Sequence, residues 1–342
     1  MLDIGDDVDG ATESAGDVQG VSRAPDGGVI VVDRTSSSMK FFAADGTLIK
    51  RVGRKGRGPG EFEHVSHLMR CGDSLFVFDS GRYSVYSPDG VLHRQFRVVG
   101  PAAGDHPYRT ACNGQGVLLS YAYDRLTDLP PKSGVTRKQV PYWLSRADGT
   151  LIATVGQFWS SERWASVTST ISGTGPLPLG KQPVVAVGRS RAYIGLADTF
   201  AIDVYNLDGR RISRIQLDQP ARPSTAADIE RFKLLDTMGR SPSDNFRTVE
   251  EWTIMRFPKQ LPAYSAMIVD RDDNLWVQIF PSSRDTHATW VGFSPTGAAL
   301  AQLALPLDLE VSEIGPDDVL GTETDRLTGL KRVKRFALRR PR

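Results

Sequence analysis

Short apolar runs alternate with polar residues along nearly the whole chain, and no stretch holds a helical or heptad period for long. The punctuation is regular. Asp45-Gly46, Asp89-Gly90, Asp148-Gly149 and Asp208-Gly209 each stand between two alternating runs, and Thr296-Gly297 is a degenerate fifth copy. An Asp-Gly pair flanked by alternating hydrophobics is a strong short-range hairpin signal. The runs before these turns are 39–42, 84–87, 142–145, 202–206 and 290–294. Those after them are 48–52, 92–96, 151–155, 212–217 and 299–303.

A second hairpin precedes each of these. Its strands are 20–23 with 29–32, 67–69 with 75–78, 109–111 with 117–121, 184–187 with 192–196, and 265–269 with 275–279. Each unit therefore holds four antiparallel strands, A to D in chain order. The turn glycines at 46, 90, 149, 209 and 297 are 44, 59, 60 and 88 residues apart. The shortest interval matches the period of a propeller blade, and the longer ones carry insertions.

The pattern predicts an all-β fold, a single six-bladed β-propeller domain spanning residues 1–342. Five blades are explicit. The sixth is split: 309–314, 319–322 and 332–338 supply three strands of the segment 307–342, and Leu2–Ile4, within residues 1–5, supplies the fourth. Closing the ring with one strand from each terminus removes open sheet edges.

The segment Val52-Gly53-Arg54-Lys55-Gly56-Arg57-Gly58-Pro59-Gly60-Glu61-Phe62, followed by Leu75–Asp79 and Val85–Gly90, resembles the NHL-type repeats of bacterial six-bladed propellers. The resemblance is carried by blades 1 and 2; the other blades keep only the hairpin frame. It implies a periplasmic or extracellular protein, and a family that includes lactonases, lyases and pure interaction scaffolds. Fold alone does not choose among these.

Composition narrows the choice little. Hydrophobic residues make up 40% and charged residues 24%, as in ordinary folded chains, and the 42 basic against 40 acidic residues leave +2. That balance gives no reason to expect a nucleic-acid partner. No apolar run reaches the length of a membrane span, and the N-terminus has no basic and apolar leader. A cytoplasmic protein and a mature form without its leader both fit. Cys71 and Cys112 both fall in A–B turns of neighbouring blades, which predicts about 10 Å between them and two free thiols, beyond the ~7 Å reach of a disulfide.

Blade topology puts the A–B and C–D turns on one face and the B–C and D–A loops on the other. All three long insertions, 122–141, 156–183 and 218–264, belong to the second face, where long loops on a rigid frame tend to carry binding. The last contains a predicted helix over Ala226–Asp236, capped by Ser224 or Thr225, with Ile229, Phe232 and Leu235 on one stripe; it either covers the rim of blades 4 and 5 or acts as a lid.

Two sets of side chains stand out on this face. Asp33, Asp79, Asp124 and Asp198 end B strands and would form a partial ring, which either accepts backbone N–H groups or holds Ca²⁺ or another divalent metal. With His64 and His67 near the channel mouth, Asp33, Asp79 and Asp198 are the candidate catalytic residues of an enzyme reading, a lactonase-like hydrolase or lyase. The His spacing suits no zinc motif, and no Gly-x-Ser-x-Gly occurs. The preferred expectation is a non-catalytic scaffold without cofactor or metal. It binds a protein or small ligand through Arg34, Arg82, Arg125, Trp159 and Trp164, since Arg and Trp dominate such contacts. The basic run Lys331–Arg335 reads as a solvated blade edge.

Overall fold

A computed structural model describes residues 2–5, 15–124, 132–167, 172–237, 255–325 and 331–338. The chain opens with β1 (Asp3–Ile4), which pairs at the far end of the sequence. Sheet 1 follows as β2 (Val18–Arg23), β3 (Val29–Asp33), β4 (Ser38–Phe42) and β5 (Leu48–Val52), and sheet 2 as β6 (Val65–Cys71), β7 (Ser74–Asp79), β8 (Arg82–Tyr86) and β9 (Leu92–Phe96). The next strands are β10 (Pro107–Cys112), β11 (Val117–Ala122), β12 (Gly134–Thr136), β13 (Gln139–Arg146), β14 (Leu151–Trp159), β15 (Arg163–Val167) and β16 (Ser172–Pro176). Of these, β10, β11, β13 and β14 make sheet 3.

Sheet 4 is β17 (Val184–Val187), β18 (Arg191–Gly195), β19 (Ala201–Asn206) and β20 (Arg211–Gln216). Helix α1 (Ala226–Thr237) precedes sheet 5, which is β21 (Tyr264–Val269), β22 (Leu275–Ile279), β23 (Ala288–Phe293) and β24 (Ala299–Leu305). Sheet 6 contains β25 (Leu309–Ile314), β26 (Asp318–Thr324) and β27 (Lys331–Ala337), with β1 as its outer strand. Asp3 and Ile4 lie opposite Lys334 and Val333, while Leu2 and Ile4 are buried with Leu320 and Val333.

Seven sheets form where six were expected. Six have four strands; the seventh is a three-stranded sheet in the order β12-β15-β16. It is built from two insertions separate in sequence, with Val135 opposite Trp164 and Ala165 opposite Thr174. These segments lack the clean alternation that marked the other strands, so the sequence pattern left them as loops.

The middle strands of the four-stranded sheets are buried, the outer strands β5, β9, β14, β20 and β24 are largely exposed, and the sheets pack against their neighbours in a β-propeller-like ring. Ile30, Val32, Leu75 and Val77 join sheets 1 and 2; Phe76, Leu119, Trp143 and Tyr205 join sheets 2 to 4; Tyr193, Val277 and Phe293 join sheets 4 and 5. Sheets 5 and 6 meet through Trp276, Trp290, Leu309 and Val319. The C–D turns are tight, and Gly46, Gly90, Gly149 and Gly209 hold φ between 82° and 92°, a region that favours glycine at these turns.

The expectation of free thiols is overturned. Cys71 and Cys112 form a disulfide with Cα atoms 5.4 Å apart. The innermost strands converge toward the axis, and at their turns the backbones of Gly72 and Gly114 nearly touch: a Cβ on Gly72 would stand 2.4 Å from the Gly114 carbonyl. The same turn end carries other links between neighbouring sheets. Arg23 pairs with Glu313 and Asp318, Arg70 donates to the Arg23 carbonyl at 2.7 Å, and Asn113 donates to the Gly188 carbonyl at 2.8 Å. The Arg189 N–H donates to Asp273 at 2.6 Å.

Candidate functional site at the loop-rich mouth of the channel

The innermost strands β2, β6, β10, β17, β21 and β25 surround a central channel of 1450 Å³. Four of them share a defect at their loop-side ends. In β2, β6, β10 and β21 one residue is inserted against the partner strand, at Gln19, Ser66, Tyr108 and Ser265, always at the same rung: opposite Val32/Asp33, Phe78/Asp79, Tyr121/Ala122 and Gln278/Ile279. A fifth bulge, Ser312 in β25, lies deeper. A bulge bends the strand and re-aims its extra side chain. All five of these residues line the channel.

Aromatic rings flank this rung. Tyr108 is 40% exposed and Tyr123 42%, with centroids 5.3 Å apart. Behind them Tyr121 and Tyr142 stack at 4.9 Å, and Phe158 meets Tyr142 edge-on. The guanidinium of Arg163, on the three-stranded sheet, lies 5.9 Å from the Tyr123 ring centre. Sequence reasoning missed this group. A single polar residue out of step near the start of an A strand, as at Ser66 and Ser265, does not by itself mark a bulge in the sequence.

Asp33 and Asp79 end β3 and β7 as expected, whereas Asp124 and Asp198 lie two and three residues past the ends of β11 and β18. Asp33 accepts the N–H groups of Asp17 and Thr35, each at 2.9 Å, and the Ser36 hydroxyl at 2.5 Å, and it pairs with buried Lys40 at 2.9 Å. Burial pushes this carboxyl up, but the Ser36 and Lys40 bonds outweigh it and hold it below the usual carboxylate range. Asp79 accepts the N–H groups of Glu63 and His64 at 3.0 and 2.6 Å. Asp124 is buried and accepts the Ser160 hydroxyl at 3.0 Å. Asp198 is half-exposed and receives Arg137 at 3.0 and 3.1 Å, with Lys181 at 3.6 Å. Arg137 lies between β12 and β13, so this contact fastens the three-stranded sheet's connection to sheet 4.

His64 is exposed ahead of β6, whereas His67 is exposed within it and lines the channel. Among the described residues, no group of three His, Cys, Asp or Glu side chains is placed to hold a metal ion. Arg34 is paired with Asp17, and Arg82 donates to the carbonyls of Arg57 and Glu61, bracing the glycine-rich loop ahead of β6. Arg125 lies outside the described residues. Trp159, ending β14, is 43% exposed; Trp164 is 7% exposed and packs on Leu177 and Met255.

Helix α1 extends one residue past its predicted end. Its cap is Thr225: the Asp228 N–H donates to the Thr225 hydroxyl at 3.2 Å, and the Asp228 carboxylate receives the Thr225 N–H at 2.8 Å. The same carboxylate accepts the Ser283 N–H at 2.6 Å, tying the helix to sheet 5. Burial raises the Asp228 pKa, but these bonds prevail and bring it to about 2.

No family model matches the chain, and no curated protein matches it. Solved structures do. A Bacteroides fragilis protein described as exported aligns over 99% of this chain and 94% of its own, at 11% identity and a TM-score of 0.50. A luciferin-regenerating enzyme aligns over 97% and 94% at 12% identity and a TM-score of 0.44. Virginiamycin B lyase from Staphylococcus aureus aligns over 97% of both chains at 8% identity and a TM-score of 0.42. The first of these likenesses supports the ring fold. Among the described residues, no helix is long and apolar enough to cross a membrane.

Proposed function

We propose that this chain is a non-catalytic binding scaffold: a six-bladed propeller whose working surface is the B–C/D–A face. In this reading the six four-stranded sheets are the blades, and the three-stranded sheet is an appendage that shapes the face. The observation that carries it is the seventh sheet itself. Two insertions that pair with each other through β12 and β15, anchored through Arg137 to Asp198, leave Tyr123 exposed against channel-lining Tyr108 and Trp159 exposed at the end of the outer strand β14. Ordering such loops costs conformational entropy that ring closure does not need, which favours a role at the face.

Asp33 and Asp79 spend carboxylate oxygens on backbone amides, which favours a clamping role for them over acid–base chemistry. The disulfide supports an oxidising compartment, periplasmic or extracellular. The test is capture of a partner by the immobilised chain from extracts of the source cells. Trp159→Ala with Tyr123→Ala should abolish capture, whereas Asp89→Ala and Asp45→Ala on the opposite turns should not. The reverse pattern would refute the assignment of the face.

A further inference from the structure

The rung of bulges has a chemistry of its own. Gln19, Ser66, Tyr108 and Ser265 come from four different sheets, reach one level of the channel, and carry no formal charge. Ser66 and Ser265 are exposed, and neither hydroxyl has a hydrogen-bond partner among the described residues. Each offers one donor and two acceptors, the same inventory as an alcohol. Chance placement of polar residues at a wet opening would not require the same one-residue insertion in four strands.

Charges near this level are paired: the Asp17 carboxylate accepts the Gln19 amide N–H at 2.7 Å, which turns the Gln19 carbonyl oxygen to the ligand, and is itself bound by Arg34 at 2.7 Å. Lys331 lies 3.8 Å from Glu310 and donates to the Val18 carbonyl at 3.1 Å, so neither sign is presented alone to a ligand. The exposed faces of Tyr108 and Tyr123 add flat apolar area next to the hydroxyls. The volume, 1450 Å³, exceeds the ~300–1,000 Å³ of ordinary small-molecule sites and leaves room for several linked rings.

We infer that the bulge rung at the channel mouth binds a neutral polyhydroxylated ring compound, a saccharide, through Gln19, Ser66 and Ser265 with a ring packed on Tyr108. This rests on the loop-rich face being the working surface and names the ligand class for it. The hydroxyls recognise sugar hydroxyls without net charge, and the tyrosine covers the apolar face of the sugar ring.

The test is a glycan array bearing maltotriose, cellotriose, chitotriose and larger neutral glycans together with sialylated and sulfated ones, probed with the full chain. Retention on neutral glycans is expected. Tyr108→Ala, and Ser66→Ala with Ser265→Ala, should each weaken it about tenfold or more, the loss of one or two hydrogen bonds and a ring contact. Tyr108→Phe should retain binding. Unchanged thermal midpoints separate lost recognition from misfolding, and if Tyr108→Ala fails to fold the serine pair carries the test.

No neutral glycan bound, acidic glycans only, or rung variants that bind like the wild type would each overturn the inference. Partner capture that depends on Trp159, without any glycan binding, would sink the saccharide and leave the face reading standing. Glycan binding lost in Asp89→Ala would sink both.

Discussion

The Cα atoms of Cys71 and Cys112 lie 5.4 Å apart across the junction of sheets 2 and 3, and their sulfurs are bonded. The link spans 41 residues, so it constrains nearly a whole blade in the unfolded chain. Replacing both by Ser should destabilise the protein by about 2–4 kcal/mol, read from the midpoint of a urea titration. Thiol assay of the native chain, denatured without reductant, should find none free. Two free thiols would contradict the structure.

Ile4 is buried against Val333 and Leu320, while Asp3 pairs with Arg332 at 2.9 Å and Lys334 at 2.6 Å at the surface. Burial should outweigh the ion pairs. Ile4→Ala is expected to cost about 2–5 kcal/mol and Asp3→Ala less than about 1 kcal/mol. Equal effects in thermal melts would show that closure of the ring is electrostatic instead.

Tyr264 reaches from sheet 5 to sheet 4. Its hydroxyl accepts the Ala197 N–H at 3.1 Å and donates to the Ala201 carbonyl at 3.0 Å. Gly195 leaves room for it, since a Cβ there would stand 2.1 Å from the hydroxyl. Tyr264→Phe keeps the ring and leaves a buried N–H unsatisfied, at about 1–3 kcal/mol. No change in the urea midpoint would mean the N–H finds another partner.

Acid should loosen the α1 cap within a defined window. The Asp228 carboxyl titrates at about 2 in the folded protein against an ordinary value of 3.8. A lowered folded pKa contributes stability that is fully present above the unfolded value and lost as pH falls through the folded one. The stability gap between wild type and Asp228→Asn should therefore be constant above about pH 4 and shrink steadily toward pH 2. Asp33, also held low, acts in the same direction. A gap that stayed constant down to pH 2 would refute the assignment.

The frame was legible because its signals are local. Asp89-Gly90 and Asp148-Gly149 announce their turns, and the continuous apolar run Leu75–Phe78 marks a strand enclosed between two neighbouring sheets. Three features were not legible, each for a physical reason. The pairing of Val135 with Trp164 joins segments that have no period of their own and meet only once the ring has formed. The disulfide depends on how closely two turns approach, a distance that ring size sets and spacing does not. The bulges at Ser66 and Ser265 are single insertions, and one residue out of step is indistinguishable in sequence from a loosely chosen strand end.

Asp33 and Asp79 grip the crossover that enters their own sheet, through the Asp17 amide in one case and those of Glu63 and His64 in the other. Where a connection lands is thus decided by the strand that receives it, independent of how far the chain has wandered on the way. The connections entering sheets 1 and 2 are therefore exchangeable parts. A segment of different length or sequence, grafted ahead of Ala15 or between Gly53 and Phe62 with the buried Ala15 and Phe62 kept, should leave the ring standing while giving it a new surface to present.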